Sequence, residues 1–209
     1  MPNTGNGGFS VIPEDWPPIL NNIVGFGDEM FTKAKEVYEI INNMKTDCWY
    51  GGRYNNTVDW FIELKPTFKS VVESISEDVI IKLENIADNY QTTDRYKKAI
   101  SQSQARRVEI PDITKGPDKG LWINPGKFDQ VTENVRLRLR DMKIKLVYVL
   151  QQIEKLPWEG GARDAFINKY KAYKNELDQC IDKLNSEFTK NSSKDKEEFM
   201  STEKRNTVN

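Results

Sequence analysis

Apolar residues recur every three or four positions in the first part of the chain, as on one face of an amphipathic α-helix. They are Ile19, Ile23, Phe26, Met30, Ala34, Val37, Ile41 and Met44. The helix is predicted to begin after Asp15, which can cap free amides, with Pro17 and Pro18 in its first turn. It should end before Trp49-Tyr50-Gly51-Gly52, because the two glycines give the backbone the freedom to reverse direction.

Three further apolar stripes with helical spacing follow. They are Thr57, Phe61, Leu64, Phe68, Val71, Ile75 and Val79; then Val131, Val135, Leu139, Met142, Leu146, Val149 and Ile153; then Phe166, Tyr170, Tyr173, Leu177, Cys180, Leu184 and Phe188. Residues 101–124 have no such period and contain two prolines and two glycines, which predicts a connector. A second turn is predicted at Trp158-Glu159-Gly160-Gly161, so the order is helix, turn, helix, connector, helix, turn, helix.

The two halves of the sequence align without a gap when 109 is added to each residue number in the first half. This offset of 109 residues is called the repeat shift. Phe26 corresponds to Val135, Met30 to Leu139, Val37 to Leu146, Ile41 to Leu150 and Met44 to Ile153. Trp49, Gly51 and Gly52 correspond to Trp158, Gly160 and Gly161. A period of this length indicates a duplicated domain, since solenoid repeats are about 20–50 residues long.

A hairpin of two helices leaves its apolar stripe exposed unless a second hairpin covers it. The chain contains both hairpins, so we expect an all-α fold in which two antiparallel helical hairpins form an elongated four-helix bundle, an intramolecular pseudo-dimer. The predicted parts are a flexible N-terminus (1–14), a first hairpin (15–100), a connector (101–124), a second hairpin (125–190) and a charged C-terminal tail (191–209).

The paired Trp-x-Gly turns resemble those of the WXG family, small helical-hairpin substrates of type VII secretion in Gram-positive bacteria. The chain is similar to two such units fused in tandem. Five Trp and twelve Gly would give about 0.3 Trp-x-Gly triplets by chance, whereas two occur at equivalent predicted turns. The tryptophans also have a purely structural interpretation, in which they fill the hairpin ends, and both interpretations can hold together.

The family's second mark is a Tyr-x-x-x-Asp/Glu element after the second helix, and Tyr90 and Asp94 match it. About 1.2 such matches are expected by chance and one occurs, so only its placement is informative. The corresponding residues of the second copy are Phe199 and Glu203, with Phe in place of Tyr. The resemblance therefore makes Trp49, Gly51, Tyr90, Asp94, Trp158, Gly160, Phe199 and Glu203 the candidate recognition residues.

The composition argues against several classes of function. A net charge of −1, from 31 basic and 32 acidic residues, gives no support for nucleic acid as a partner. The absence of histidine excludes Ser-His-Asp and Cys-His nucleophiles and most zinc sites. Cys48 and Cys180 form no CxxC pair and are interpreted as free thiols. We therefore expect no enzyme activity, no cofactor and no metal.

The sequence pattern also predicts neither a signal peptide nor a membrane span. Residues 1–10 lack the basic start and apolar stretch of a signal peptide. No run approaches the roughly 18 apolar residues of a membrane span. The expected localisation is cytoplasmic before export, and secreted or at the cell surface afterwards, by a route that needs no signal peptide.

The function that the resemblance implies is that of a non-enzymatic, virulence-associated type VII secretion substrate or co-substrate, exported as a folded bundle. Its expected partners are the secretion ATPase and, as a further candidate, another WXG-like or LXG-like helical protein. The alternative is a cytoplasmic adaptor or chaperone for a larger type VII toxin or another helical partner. In an antiparallel stack, Tyr90 and Asp94 would approach the Trp158 turn, while Phe199 and Glu203 would approach the Trp49 turn. The chain itself should be a monomer.

Overall fold

A computed structural model describes residues 10–11, 16–83, 85 and 109–207. Four long helices account for most of this part: α1 (Trp16–Asp47), α2 (Gly52–Ser74), α3 (Pro125–Lys155) and α4 (Gly161–Thr207). α2 continues as a π-helical segment, Ile75–Ile81. The described residues also form four two-residue strands: β1 (Ser10–Val11), β2 (Trp49–Tyr50), β3 (Trp122–Ile123) and β4 (Trp158–Glu159). The predicted all-α helical bundle is thus confirmed.

The repeat detected in the sequence is also a repeat of secondary structure. α1 begins at Trp16 and α3 begins at Pro125, and the repeat shift relates these two positions. The same shift relates the start of α2 at Gly52 to the start of α4 at Gly161. It also relates β2 to β4, so the two Trp-x-Gly turns have the same local construction.

The chain divides into two compact units, and each unit takes segments from all four helices. The first unit consists of Met1–Thr32, Ser70–Val108 and Lys143–Asp178. The second unit consists of Lys33–Lys69, Glu109–Met142 and Gln179–Asn209. Each has its own buried apolar core, made largely of the residues that recur every three or four positions in the sequence.

In the second unit, α1 packs antiparallel to α3, and α2 packs against α4. The pairing of α1 with α3 includes ion pairs from Lys33 to Asp141, 3.2 Å, and from Glu36 to Arg138, 2.7 Å. Between α2 and α4, the buried amide of Asn191 donates a hydrogen bond to the Thr57 hydroxyl, at 3.1 Å. Within the first hairpin, the Tyr38 hydroxyl donates to the Phe61 carbonyl at 3.1 Å, and the two rings pack edge to face.

The first unit repeats this arrangement with different side chains. Asn22 of α1 contacts Gln152 of α3, and Glu29 forms an ion pair with Lys145. The Tyr170 hydroxyl donates to the Leu146 carbonyl at 2.8 Å, which joins α4 to α3.

The Asp78 carboxylate, in the π-helical segment that continues α2, accepts hydrogen bonds from two residues of α4, Tyr173 at 2.7 Å and Lys169 at 3.2 Å. Both donors favour the charged carboxylate and hold the pKa of Asp78 below its usual range. The second helix is therefore fastened to α4 by polar contacts as well as by its apolar stripe.

Two segments differ from the sequence-based expectations. Ser10–Val11, within the N-terminus predicted to be flexible, forms a strand that pairs antiparallel with Trp158–Glu159. Residues 191–209 are predicted to be a charged tail beyond the second hairpin, but α4 continues through this segment to Thr207. The physical reason is that the buried stripe of α4 continues beyond Phe188 in polar residues. They are Asn191, Ser192 and Asp195.

The turn glycines give the first prediction. Gly51 has a φ of +148°, and a Cβ there would lie 3.2 Å from the Gly120 carbonyl oxygen. Gly51→Val should therefore destabilise the protein by roughly 1 kcal/mol or more, which lowers the melting midpoint by about 2–4 °C in a chain of this size. Gly52→Ala is the matched control, because a Cβ at Gly52 meets nothing within 4 Å. Equal midpoints for the two variants would contradict the assigned turn geometry.

Candidate functional site

The Trp49 turn lies in the second unit and is fixed by backbone pairing. β2 pairs antiparallel with β3, so that Trp49 lies opposite Ile123 and Tyr50 lies opposite Trp122. The rings of Tyr50 and Trp122 stack with their centroids 5.5 Å apart. The strand that precedes the second hairpin therefore holds the turn of the first hairpin.

The Trp49 ring is completely buried among aromatic side chains from three other segments. Its centroid lies 5.4 Å from that of Tyr54, 5.7 Å from that of Phe128 and 6.2 Å from that of Phe188, all in edge-to-face geometry. Edge-to-face pairs of this kind add to the stabilisation from burial itself. Trp49 thus joins the start of α2, the start of α3 and the interior of α4.

Four side chains that share hydrogen bonds complete this site and are called the Asp195 cluster. They are Trp49, Arg53, Asp195 and Glu198. The Trp49 indole Nε1–H donates to Asp195 Oδ2 at 2.8 Å. Arg53 Nη1 donates to Asp195 Oδ1 and to Glu198 Oε2, each at 2.6 Å. The hydrogen bonds that Arg53 donates to Glu198 and to Asp195, of which the one to Glu198 has the larger effect, raise the pKa of Arg53 above its already high value.

The Asp195 carboxylate is buried, which explains why it needs two hydrogen-bond donors. Its side chain is only 3% exposed, whereas Glu198 is 56% exposed. A buried carboxylate costs several kcal/mol in lost hydration unless hydrogen bonds and an opposite charge compensate. The Trp49 indole and the Arg53 guanidinium supply that compensation, so the two hairpins hold each other through this cluster.

The connector adds a second layer of contacts around the same turn. The Asn55 side chain accepts from the Gly116 amide at 2.9 Å and donates to Asp118 at 2.9 Å. Lys45 donates to the Thr114 side chain at 2.5 Å. The described residues of the connector are therefore bound along the second unit, although no periodic pattern predicts their path.

Cys48 precedes the Trp49 turn and is buried, as is Cys180 on α4, and neither of the two forms a disulfide. Burial, with a smaller contribution from the neighbouring Asp47, raises the pKa of the Cys48 thiol to about 11. The neutral thiol is the form that the folded protein favours, and a neutral thiol is a poor nucleophile. The interpretation of both cysteines as free thiols agrees with the structure.

The Trp158 turn lies in the first unit and differs from the Trp49 turn in its polar chemistry. Val11 of β1 lies opposite Trp158. The Trp158 ring packs 6.0 Å from Trp16 and 5.8 Å from Phe166. Within the described residues, the buried indole Nε1–H groups of Trp16 and Trp158 have no hydrogen-bond acceptor.

The sequence shows that the residues of the Asp195 cluster are not repeated at the corresponding positions of the other copy. The repeat shift relates Arg53 to Ala162, Asp195 to Ile86 and Glu198 to Asn89. None of these three side chains carries a charge, so the ion pairs of the Asp195 cluster cannot form at the corresponding positions of the other copy. The two turns share backbone geometry but not chemistry.

The candidate recognition residues are placed as follows. Gly51 and Gly160 both have positive φ, +148° and +115°. Phe199 is half-buried and Glu203 is exposed, both on α4, in the unit that contains the Trp49 turn. Asp195 lies one helical turn before Phe199, and it is Asp195 and Glu198 that contact Trp49 and Arg53. Tyr90 and Asp94 lie outside the described residues.

Arg53, Asp195 and Glu198 were not identified by the sequence analysis. One signal was present, because the spacing of Leu184 and Phe188 continues through Asn191 and Asp195. The apolar part of the stripe ends at Phe188, and its buried continuation is polar.

In the described ranges, no helix is both long enough and apolar enough to cross a membrane. The same ranges contain no group of three acidic or cysteine side chains suited to hold a metal ion. Comparison of the chain with protein-family models, with curated proteins and with solved structures finds no match.

The Asp195 cluster gives the second prediction. Asp195→Ala removes the acceptor of the Trp49 indole and leaves that buried donor unsatisfied, which should cost roughly 2 kcal/mol and lower the melting midpoint by about 4–8 °C. Glu198→Ala is the control on the same helix, since an exposed ion pair contributes below about 1 kcal/mol. Equal melting midpoints for the two variants would show that Asp195 does not stabilise the Trp49 turn.

Burial of Cys48 gives the third prediction. In a Cys180→Ser variant, Cys48 should not react with a disulfide-exchange reagent at pH 8, because both access and ionisation are suppressed. Reaction should accelerate only as the pH rises towards 11, or at once when the protein is unfolded in denaturant. Full labelling of the native protein within the time that a free thiol needs at pH 8 would contradict this environment.

Proposed function

We propose that this protein is a non-enzymatic type VII secretion substrate or co-substrate that is exported as a folded helical bundle. The resemblance to WXG proteins motivates the proposal, and the secretion ATPase is the proposed partner. The protein would be cytoplasmic before export and secreted or cell-surface afterwards.

The observation that carries the proposal is the contact between α4 and the Trp49 turn. Asp195 of α4 binds the Trp49 indole, so the turn of one hairpin and the C-terminal helix of the other are held together. Phe199 and Glu203 lie one and two helical turns beyond Asp195 on the same helix. A receptor that requires both parts would accept only a chain whose hairpins have paired, which is a physical basis for selecting folded cargo.

The second proposed recognition element is Tyr90 with Asp94. An aromatic ring and an acid four residues apart would share one face if the segment is helical, and such a face suits a receptor groove. The copy at Phe199 and Glu203 lacks the phenolic hydroxyl. We therefore assign the larger part of the export signal to Tyr90 and Asp94.

One observation favours the alternative function of an adaptor or chaperone. Ile144, Val147 and Tyr148 of α3, all in the first unit, are 37–42% exposed. Three exposed apolar side chains on one helix could pack against a helix of a larger toxin. An adaptor of this kind would remain in the cell or copurify with its partner rather than accumulate in the medium.

The test is the secreted fraction in a type VII host with and without the secretion ATPase, and it is the fourth prediction. Wild-type protein should appear in the medium only when the ATPase is present. Tyr90→Ala with Asp94→Ala should sharply reduce export while the purified protein melts nearly as wild type. Phe199→Ala with Glu203→Ala should reduce export less.

A matched control is available on α4 at the same four-residue spacing. Glu197→Ala with Ser201→Ala alters two exposed positions of that helix and should leave export unchanged. Wild-type export of the Tyr90/Asp94 double variant would remove that element from the proposal. Export that does not depend on the ATPase, or retention of wild-type protein in the cell with a bound partner, would refute the secretion proposal itself.

A further inference from the structure

Two ion pairs between α1 and α3 are related by the internal repeat. In the second unit Glu36 pairs with Arg138 at 2.7 Å, and in the first unit Glu29 pairs with Lys145. The repeat shift relates Glu29 to Arg138 and Glu36 to Lys145. The two ion pairs are therefore equivalent, because exchanging the two repeats converts the positions of one pair into those of the other.

The charges break the symmetry that the repeat would otherwise have. The first hairpin contributes an acid to both pairs, and the second hairpin contributes a base to both. If the first hairpin met a copy of itself in this register, Glu29 would face Glu36 twice. If the second hairpin met its own copy, Arg138 would face Lys145 twice. Both like-with-like assemblies would therefore bring equal charges into contact.

The Asp195 cluster distinguishes the two kinds of assembly independently. Arg53 belongs to the first hairpin, whereas its partners Asp195 and Glu198 belong to α4. In an assembly of two first hairpins, Arg53 would find Ile86 and Asn89 at the corresponding sequence positions. In an assembly of two second hairpins, the carboxylate of Asp195 would face Ala162 instead of a guanidinium. A buried carboxylate without its cation is strongly disfavoured.

We infer that these charges determine which hairpins can pair. A first hairpin pairs with a second hairpin, and neither pairs with a copy of itself; this pattern of charges is called the pairing code. The partner surface of the first hairpin fits a helix that carries two basic residues seven positions apart, as Arg138 and Lys145 do. The pairing code favours pairing of the two hairpins within one chain. It disfavours a first hairpin of another chain in the place of the second hairpin, and a second hairpin in the place of the first. Such pairs contribute more to partner choice, through the repulsion in wrong pairings, than to stability.

The test uses full-length variants in which both hairpins carry the same charge at the four positions of these two ion pairs. Arg138→Glu with Lys145→Glu makes both acidic, and Glu29→Lys with Glu36→Arg makes both basic. Each variant alone should melt several degrees below wild type at low salt. The fourfold variant that combines all these changes should recover the wild-type midpoint, because both ion pairs are restored with their signs exchanged. Arg140→Glu with Lys155→Glu, at two exposed α3 positions, is the control for charge alone.

Partner choice is tested by mixing. The acidic and basic variants, unfolded together in urea at equal concentration and refolded at low salt, should form a dimer of one chain of each kind. High salt should reduce the yield of this dimer. The inference is overturned if the acidic variant melts like the Arg140/Lys155 control, if the fourfold variant melts no higher than the twofold variants, or if the mixture refolds only as separate monomers.

Discussion

The structure depends on one constraint, which is that an amphipathic two-helix hairpin cannot bury its apolar stripe by itself. A fully buried aliphatic side chain contributes about 1.5–3 kcal/mol, and this contribution is lost while the stripe remains in water. The chain satisfies the constraint by encoding two hairpins, and the stripe residues Met30 and Val37 of α1 and Leu139 and Leu146 of α3 are buried. Each of the two units contains segments of all four helices, so neither unit is complete without both hairpins.

Duplication supplied the framework, and later divergence gave the two halves different chemistry. The backbone of the Trp-x-Gly turn is the same in both copies, with a two-residue strand followed by a glycine of positive φ. The side chains around it are not the same. Trp49 donates to the buried Asp195, while within the described residues the indole of Trp158 has no acceptor. Arg53 and Asp195 have no charged counterparts at the corresponding positions of the other copy, so their ion pair is a feature of the Trp49 turn.

Most of the fold was predictable from the sequence because it rests on periodicity. The spacing of residues such as Ile23, Met30 and Val37 predicts α1, and the repeat shift predicts that α3 and α4 repeat α1 and α2. The short strands were not predictable, since two residues have no period. The helix over residues 191–207 was missed because its buried side chains are polar, and a polar side chain is tolerated in a core only when a hydrogen-bond partner satisfies it. Trp49 and Arg53, which satisfy Asp195, belong to the other hairpin, far earlier in the chain.

The central claim is that the two hairpins of one chain complete each other. Light scattering coupled to size exclusion, over a wide range of protein concentration, tests this claim most directly. The account predicts a mass of 24.2 kDa that does not change with concentration, because the intramolecular partner already covers each stripe. A stable species of twice that mass, persisting on dilution, would show that the stripes are buried between chains and would contradict the account.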